Sequence, residues 1–135
     1  MGGISSIFKI WNRLIGKGMH NEINFSKGKI SEGLVLRHPY FVTITDDAEI
    51  GKNVNLFKGC TIGGVRSGKR AGSPKIGDRV TICCNAMVCG GIQIGNDVLI
   101  AANAFVDFDV PDNSIVLGNP GIIHKKENAS GDYMW

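Results

Sequence analysis

Residues 76–106 read IGDRVTICCNAMVCGGIQIGNDVLIAANAFV, with a large aliphatic side chain at every sixth position. These positions are Ile76, Ile82, Val88, Ile94, Ile100 and Val106. A period of six fits neither an α-helix, which repeats every 3.6 residues, nor a lone β-strand, which repeats every two. The stretch is therefore an internal repeat and predicts a fold built from identical short units.

The same period recurs upstream. It passes through Ile44, Ile50, Leu56 and Ile62, more weakly through Ile30 and Leu36, and small residues often follow four places later, at Ala48, Cys60, Ala86 and Ala104. Six residues suffice for one short strand and one corner, so three hexads form a coil that stacks on the next at about 4.8 Å. The sequence predicts an all-β parallel β-helix of about four coils.

Composition agrees with a single solenoid domain. The chain has 135 residues, of which 19 are glycine and 7% are aromatic. Glycine suits the corners of a coil, and a narrow interior accepts aliphatic side chains more readily than rings. The net charge of +3 is small and Lys and Arg are scattered, which argues against a nucleic-acid partner.

The four cysteines form no C-x-x-C pair; they are Cys60, Cys83, Cys84 and Cys89. They occupy repeat positions that otherwise hold Ala, Ser or Val. This pattern predicts reduced, small hydrophobic residues in a cytoplasmic protein, without a disulfide or metal role.

Residues 1–20 depart from the repeat. Apolar residues there interleave with Lys9, Arg13 and Lys17 at nearly helical periodicity. The segment is too short to span a membrane, and charges inside the apolar stretch argue against a signal peptide. A cap on the solenoid and an interfacial helix on a membrane, through residues 4–17, both remain open. We expect three regions: an N-terminal amphipathic helix or cap (1–20), a β-helix domain (21–123) and a C-terminal tail (124–135).

Two interruptions break the period, and loops on a rigid repeat are where function is expected. The spacing stretches to eight between Leu36 and Ile44, around the segment RHPYF. Fourteen residues separate Ile62 from Ile76, so about eight extra residues leave the coil as a projecting loop, 63–74. This loop is glycine-rich and basic, which suits an anionic or hydroxylated ligand; a solvated loop without a role is the alternative.

A family resemblance becomes specific at these interruptions. Residues 33–64, GLVLRHPYFVTITDDAEIGKNVNLFKGCTIGG, resemble the coil pair of the serine acetyltransferases that carries their catalytic histidine. Residues 73–123 are similar to the rest of that family's β-helix, including the closing G-N-P turn. The order of histidine, long loop and tail is typical of the serine acetyltransferase-like branch of the hexapeptide-repeat acyltransferases. The resemblance implies a left-handed helix, a homotrimer with active sites between subunits, and acetyl-CoA as donor.

The resemblance also implies that His38, in the motif G-x-x-L-x-H, is the catalytic base. An alcohol is a poor nucleophile at pH 7, and a neutral imidazole within hydrogen-bond reach can take its proton as it attacks a thioester. The aspartate that orients this histidine in the family aligns with Ile23 here. Its neighbour Glu22 is a candidate for the orienting role, and a backbone carbonyl is the alternative.

The acceptor site departs further from the family. Where the family has an aspartate before the histidine and an arginine and a histidine in the loop, this chain has Arg37, Gly72 and Ser73. The predicted acceptor-binding residues are Arg37, Arg66, Lys69, Arg70 and Ser73. Loop cations could bind a carboxylate, but nothing in the sequence marks a partner for an ammonium group. We therefore expect a sugar hydroxyl of a surface polysaccharide or its precursor, ahead of L-serine.

Donor binding is expected along small residues. Cys84 and Ala102 lie eighteen positions apart, where the family lines its pantetheine channel. The set predicted to contact acetyl-CoA is Gly63, Gly64, Cys84, Ala102, Pro120, Lys125 and Lys126. The two lysines follow the G-N-P turn and could approach the coenzyme's phosphates, although a plain basic tail explains them equally well.

These observations predict an acetyl-CoA-dependent O-acetyltransferase that needs no metal. Serine O-acetylation is the alternative activity, and a non-catalytic trimeric scaffold is the alternative outside enzymes. A metal-dependent hydratase is disfavoured because the three histidines, His20, His38 and His124, do not recur at whole-coil spacing. We expect His20 and His124 to face solvent.

Overall fold

The hexads fold into short strands separated by corners, and three strands complete one turn of a parallel β-solenoid. The computed structural model describes residues 18–23 and 27–134. The predicted N-terminal helix and membrane-facing segment therefore lie largely outside the described residues. No helix in the described part of the chain is long and apolar enough to cross a membrane.

The strands follow the chain around the solenoid turn by turn. Turn 1 contains β1 (Glu22–Ile23), β2 (Lys29–Ile30) and β3 (Val35–Arg37). Turn 2 contains β4 (Thr43–Ile44), β5 (Glu49–Ile50) and β6 (Asn55–Phe57). Turn 3 contains β7 (Thr61–Gly63), β8 (Lys75–Ile76) and β9 (Thr81–Ile82). Turn 4 contains β10 (Met87–Cys89), β11 (Gln93–Ile94) and β12 (Val98–Ile100). Turn 5 contains β13 (Phe105–Val106) and β14 (Ser114–Leu117), and β15 (Ile122–Lys125) then folds back.

The strands stack into three sheets. The first sheet has the order β1-β4-β7-β10-β13, the second β2-β5-β8-β11, and the third β3-β6-β9-β12-β14-β15. All pairings are parallel except that of β14 with β15. The solenoid has about five turns, one more than expected. The strict hexads cover only the middle turns, and the last turn advances by four residues, from Val106 to Val110, on its second side.

The predicted core is confirmed. Every hexad position from Ile44 to Val106 is at most 4% exposed, and the four small residues that follow the hexad positions are at most 3% exposed. Each large aliphatic side chain removed from water contributes about 1.5–3 kcal/mol. The equivalent residues of turn 1, Ile23, Ile30 and Leu36, are only partly buried against this core. The core is thus complete in the middle of the solenoid and thinner at its first turn.

Residues 126–134 fold back over the third sheet. The carboxylate of Asp97 accepts hydrogen bonds from the backbone N–H of Ala129 (2.9 Å) and from the hydroxyl of Ser130 (2.8 Å). A 3₁₀ helix, Gly131–Tyr133, follows. The carbonyl of Tyr133 accepts a bond from the Asn55 side chain (3.0 Å), so the tail reaches down to turn 2. The region expected as a C-terminal tail (124–135) therefore begins inside β15, and its residues 126–134 pack on the solenoid.

Candidate active site

His38 lies on an irregular corner between the third and first sheets. We call residues 38–42, which connect β3 to β4, the histidine corner. Eight positions separate Leu36 from Ile44, against six from Leu56 to Ile62 in the next turn, so the corner holds two extra residues. His38 is exposed, as a group that must meet a substrate requires. Its φ of 53° lies in the left-handed region, and Phe41 repeats this conformation with a φ of 57°.

A short segment that precedes and includes the start of β1 packs against this corner. We call residues 19–22 the N-terminal clamp. The Asn21 side chain donates to the Pro39 carbonyl (2.6 Å) and accepts from the Val42 N–H (2.9 Å). The ring of His20 stacks on Phe41, with centroids 5.3 Å apart. His20 is exposed, as is His124 on β15, which confirms the expectation for both.

Glu22 lies on the first sheet, where β1 pairs with β4 in a register that sets Glu22 opposite Thr43. Its side chain is exposed. Within residues 18–23 and 27–134, no hydrogen bond or ion pair joins Glu22 to His38. The orienting role of Glu22 stays a prediction, and the structure adds Asn21 as a residue that sequence reasoning missed.

Small residues line the same edge of the solenoid as His38. The Asn103 N–H donates to the Cys84 carbonyl (3.0 Å), so the corner that carries Ala102 stacks directly on that of Cys84. Gly118, at the end of β14, extends the column into turn 5 and leads into a cis Asn119–Pro120 peptide. Cys84 is half-buried, whereas Ala102 and Pro120 are exposed. An extended coenzyme arm fits such a wall, because no large side chain projects from these positions.

Lys125 and Lys126 lie elsewhere. The antiparallel register of β15 sets Lys125 opposite Ser114, at the far end of β14 from the G-N-P turn. Its ammonium group donates to the Asp112 carbonyl (2.8 Å). Both lysines are exposed, and a contact with the donor's phosphates stays a prediction.

The projecting loop 63–74 is a hairpin at the edge between the first and second sheets. Val65 and Gly72 exchange backbone hydrogen bonds of 2.9 and 2.8 Å and close it. Arg66 and Lys69 are exposed near its tip. Arg70 lies 3.8 Å from the Asp109 carboxylate, which ties the hairpin to the far end of the solenoid. Gly63 and Gly64 begin the hairpin and so belong to this edge.

A carboxylate that sequence reasoning missed lies at the hairpin base. Ser73 donates a short hydrogen bond to the side chain of Asp47, which also accepts one from the Thr45 hydroxyl (3.3 Å). The bond from Ser73 is the main cause that lowers the pKa of Asp47 below its ordinary value. Asp47 and Ser73 line a cavity of about 320 Å³ together with Lys75 and Gln93. Ser73 and Asp47 are 26 residues apart in the chain, so the sequence alone did not predict this contact.

Apart from Glu22, Lys125 and Lys126, the predicted residues fall into two groups. The first group lies at the edge between the third and first sheets and consists of Arg37, His38, Cys84, Ala102 and Pro120. The second group, the hairpin residues, lies at the edge between the first and second sheets. Two different edges of one solenoid cannot form a single cleft. One chain therefore carries two separate groups of predicted site residues, each a candidate partial site.

The cysteines are free thiols. Burial raises the pKa of Cys60 to about 12 and that of Cys83 to about 11, which leaves both as inert core residues. In the described part of the chain, no three His, Cys, Asp or Glu side chains are grouped to hold a metal ion.

With this geometry in place, known proteins show what the chain is similar to. Residues 73–107 match the bacterial transferase hexapeptide family (six repeats). The serine acetyltransferase of Staphylococcus aureus strain Mu50 is 39% identical over 101 residues, which are 75% of this chain and 47% of that protein. The chain belongs to the hexapeptide-repeat transferases and is serine acetyltransferase-like.

Solved structures agree. The serine acetyltransferase of Neisseria gonorrhoeae in complex with serine superimposes with a TM-score of 0.65 at 35% identity, covering 72% of this chain and 39% of that chain. The enzyme from Brucella abortus strain S19 in complex with coenzyme A gives 0.68 at 34% identity, covering 74% of this chain and 40% of that chain. This chain spans about half the length of the curated relative above. It spans about 40% of the chain in each of the two solved structures.

Proposed function

We propose that this chain transfers an acetyl group from acetyl-CoA to a hydroxyl group, with His38 as general base. The observation that carries this proposal is the exposed His38 on the edge that also bears the wall of Cys84 and Ala102. A base and a channel for a long thin donor then open on one side of the solenoid. The relatives named serine acetyltransferase support the same reaction class.

In the proposed reaction the His38 imidazole takes the proton of the acceptor hydroxyl as its oxygen attacks the thioester carbonyl. A C–O bond forms, the C–S bond breaks, and the departing thiolate receives the proton from the imidazolium. General-base catalysis of this kind contributes about 10²- to 10⁴-fold. Glu22 is proposed as a further orienting group.

We propose that L-serine is the first acceptor to test, in contrast to the sugar hydroxyl expected from sequence. A solved relative holds serine. Asp47, at the hairpin base, offers a carboxylate for the ammonium group that lacked a partner in the sequence, while Arg66 and Lys69 offer cations for the carboxylate. A polysaccharide sugar remains the second candidate because Arg37, a cation on the strand that ends beside His38, stands where the family has an aspartate.

The proposed assembly is a homotrimer with active sites between subunits. The two partial sites on different edges support it, since a neighbouring copy could set its hairpin edge against the histidine edge of the first. The hairpin of the adjacent subunit would then approach His38 with its polar residues Arg66, Lys69, Arg70 and Ser73. Gly63 and Gly64 would lie beside the donor. A protein that sediments as a monomer at micromolar concentration and still releases thiol from acetyl-CoA would refute this assembly.

The test of catalysis is thiol release from acetyl-CoA by the wild type and by His38→Asn. Asparagine tolerates a positive φ, so this variant keeps the backbone of the corner. Turnover is expected to fall at least about 10²-fold while acetyl-CoA affinity stays within a few fold. Near wild-type turnover in this variant would show that His38 is not the base.

The test of the acceptor uses L-serine, homoserine and nucleotide-linked or lipid-linked sugars with the same assay. If L-serine is the acceptor, Asp47→Asn should raise its KM about tenfold or more, because a charged pair with the ammonium is lost. The matched variant Asp78→Asn changes a carboxylate outside the proposed site and should leave KM unchanged. Saturable acetylation of a sugar alone would favour the second candidate.

A further inference from the structure

The histidine corner has a backbone that its own sequence does not favour. His38 and Phe41 both have a positive φ, at 53° and 57°. A bulky residue such as Phe is a genuine outlier in this conformation, which persists only when surrounding contacts impose it. At the same edge of the solenoid, each corner of the later turns has one Asn or Gly with a positive φ, such as Asn85 and Asn103. The corner that carries the base therefore depends on contacts from outside it.

The N-terminal clamp supplies these contacts. The Phe41 N–H donates to the Met19 carbonyl (3.1 Å), and the Glu22 N–H donates to the Val42 carbonyl (2.9 Å). With the ring stack of His20 on Phe41, the clamp touches the corner both by backbone and by side chain. The corner is thus held from one side by the segment that precedes the first hexad.

Asn21 is the member of the clamp that spans the corner. Its carboxamide donates to the carbonyl of Pro39, directly after His38, and accepts from the N–H of Val42, where β4 is about to begin. One donor and one acceptor are used at the same time, which an amide can do and a carboxylate cannot. Both bonds are partly buried, so water replaces them poorly.

We propose that Asn21 is the positioning residue for His38: its carboxamide bridge fixes the backbone of the histidine corner and with it the direction of the imidazole. The inference rests on the proposed function, since it assigns the means by which that base is held. It differs from the side-chain partner expected at Glu22, because the bridge acts on the backbone of the corner itself, at Pro39 and Val42. The first turn, where the core is thin, then gains its order from polar contacts.

The experiment measures kcat and KM by thiol release for Asn21→Ala and Asn21→Asp in the full chain. Asp is nearly isosteric and still accepts from Val42, but it sets a carboxylate against the Pro39 carbonyl. Both variants are expected to lose at least about tenfold in kcat, with the KM for acetyl-CoA within about threefold, because misplacing a catalytic group by about 1 Å can cost 10²-fold. Unchanged kcat in both would overturn the proposal.

The control is Asn96→Ala. Asn96 also accepts a backbone bond with its side chain, from the Asp78 N–H (2.7 Å), but at a corner remote from His38. This variant should keep kcat within about twofold. An equal loss of kcat in Asn96→Ala would show that any lost bridge loosens the whole solenoid, and would overturn a specific role for Asn21.

A double-mutant cycle separates positioning from general loss of structure. If Asn21 acts through His38, then Asn21→Asp should not lower the residual turnover of His38→Asn any further. Additive losses would overturn the proposal. Full turnover in His38→Asn alone would instead refute the proposed function, so the two failures are distinguishable.

Discussion

The chain keeps a strict hexad from Ile76 to Val106, whereas turn 1 keeps it only weakly, and the residue proposed as the base lies at the end of turn 1. In the middle of the solenoid Ile82 and Ile100 are fully buried. In turn 1 Ile30 and Leu36 are only partly buried, and hydrogen bonds and a ring stack hold the chain. The strict repeat forms a well-buried frame, and the proposed base lies where the repeat is relaxed.

The relaxed turn shows how irregular structure can be kept ordered. The histidine corner keeps one bond of the regular corners, because the Tyr40 carbonyl accepts from the Gly59 N–H of the next turn (2.9 Å). Its remaining polar groups, at Pro39, Phe41 and Val42, are bound by the N-terminal clamp, two of them by Asn21. We therefore expect stability to depend mainly on the strict turns, and the proposed reactivity on the relaxed one.

The largest effect on stability is expected from truncating a hexad isoleucine to alanine. The same change is compared in the middle of the solenoid, as Ile82→Ala, and in turn 1, as Ile30→Ala. Ile82 is fully buried, so its truncation should lower the free energy of unfolding by about 2–5 kcal/mol. Ile30 is half-buried, and its truncation should cost less than half of that. Chemical denaturation of both variants measures the difference. Equal losses would contradict a frame confined to the middle turns.

Close packing between turns gives the next effect. A Cβ on Gly77 would lie 2.6 Å from the Gly95 carbonyl oxygen, whereas one on Gly63 would meet ordinary contacts at 3.7 Å. Gly77→Ala should therefore lower stability by about 1–3 kcal/mol. Gly63→Ala, the matched change at the hairpin edge, should stay within about 0.5 kcal/mol. Thermal unfolding of the two variants is the measurement, and a tolerated Gly77→Ala would show that turns can separate freely.

The next prediction concerns the carboxylate of Asp97, which binds residues 129 and 130 of the tail to turn 4. Burial raises the pKa of Asp97, but hydrogen bonds from Ser130 and Ala129, together with the charge of Arg79, outweigh it, and the pKa lies below its ordinary value. The ionised carboxylate then stabilises the fold above about pH 4, and this contribution is lost as pH falls through the folded-state pKa. Asp97→Asn should cost about 1–3 kcal/mol at pH 7, since several bonds to a charged acceptor are weakened.

The check is the free energy of unfolding of wild type and Asp97→Asn at pH 7 and at a series of lower pH values. The difference between the two proteins should shrink as pH falls through the folded-state pKa of Asp97, because protonation removes the charge that the hydrogen bonds stabilise. A difference that does not change with pH would mean that the ionised state of Asp97 contributes nothing.

The smallest effect belongs to the surface of the second sheet. Glu49 and Lys75 form an ion pair of 3.0 Å with side chains 53% and 57% exposed. Exposed pairs contribute about 0–1 kcal/mol, so Glu49→Gln should scarcely change the melting temperature. A loss as large as that of Ile82→Ala would mean that the surface ladder, and not the core, holds the middle turns together.

Much of the fold could be predicted because periodicity reports which side chains face inward. The residues from Ile44 to Val106 at six-residue spacing are all buried, as predicted. The fifth turn was missed because its spacing shortens between Val106 and Val110, where a hexad no longer marks the strand. For the site, the stacking of the Cys84 and Ala102 corners agrees with their eighteen-residue spacing, whereas the catalytic role of His38 stays a prediction.

The sequence by itself determined the solenoid, its core and the two interruptions of the repeat, because an inward-facing residue must recur with the coil. Only the tertiary structure decided that the hairpin and His38 lie on different edges, that Ser73 meets Asp47, and that Asn21 bridges the histidine corner. The contacts of Asn21 with Pro39 and Val42 span 18 and 21 positions, and that of Ser73 with Asp47 spans 26. The distances of 21 and 26 match no whole turn of hexads, because inserted residues shift the phase of the repeat, and only the folded register shows which side chains then meet.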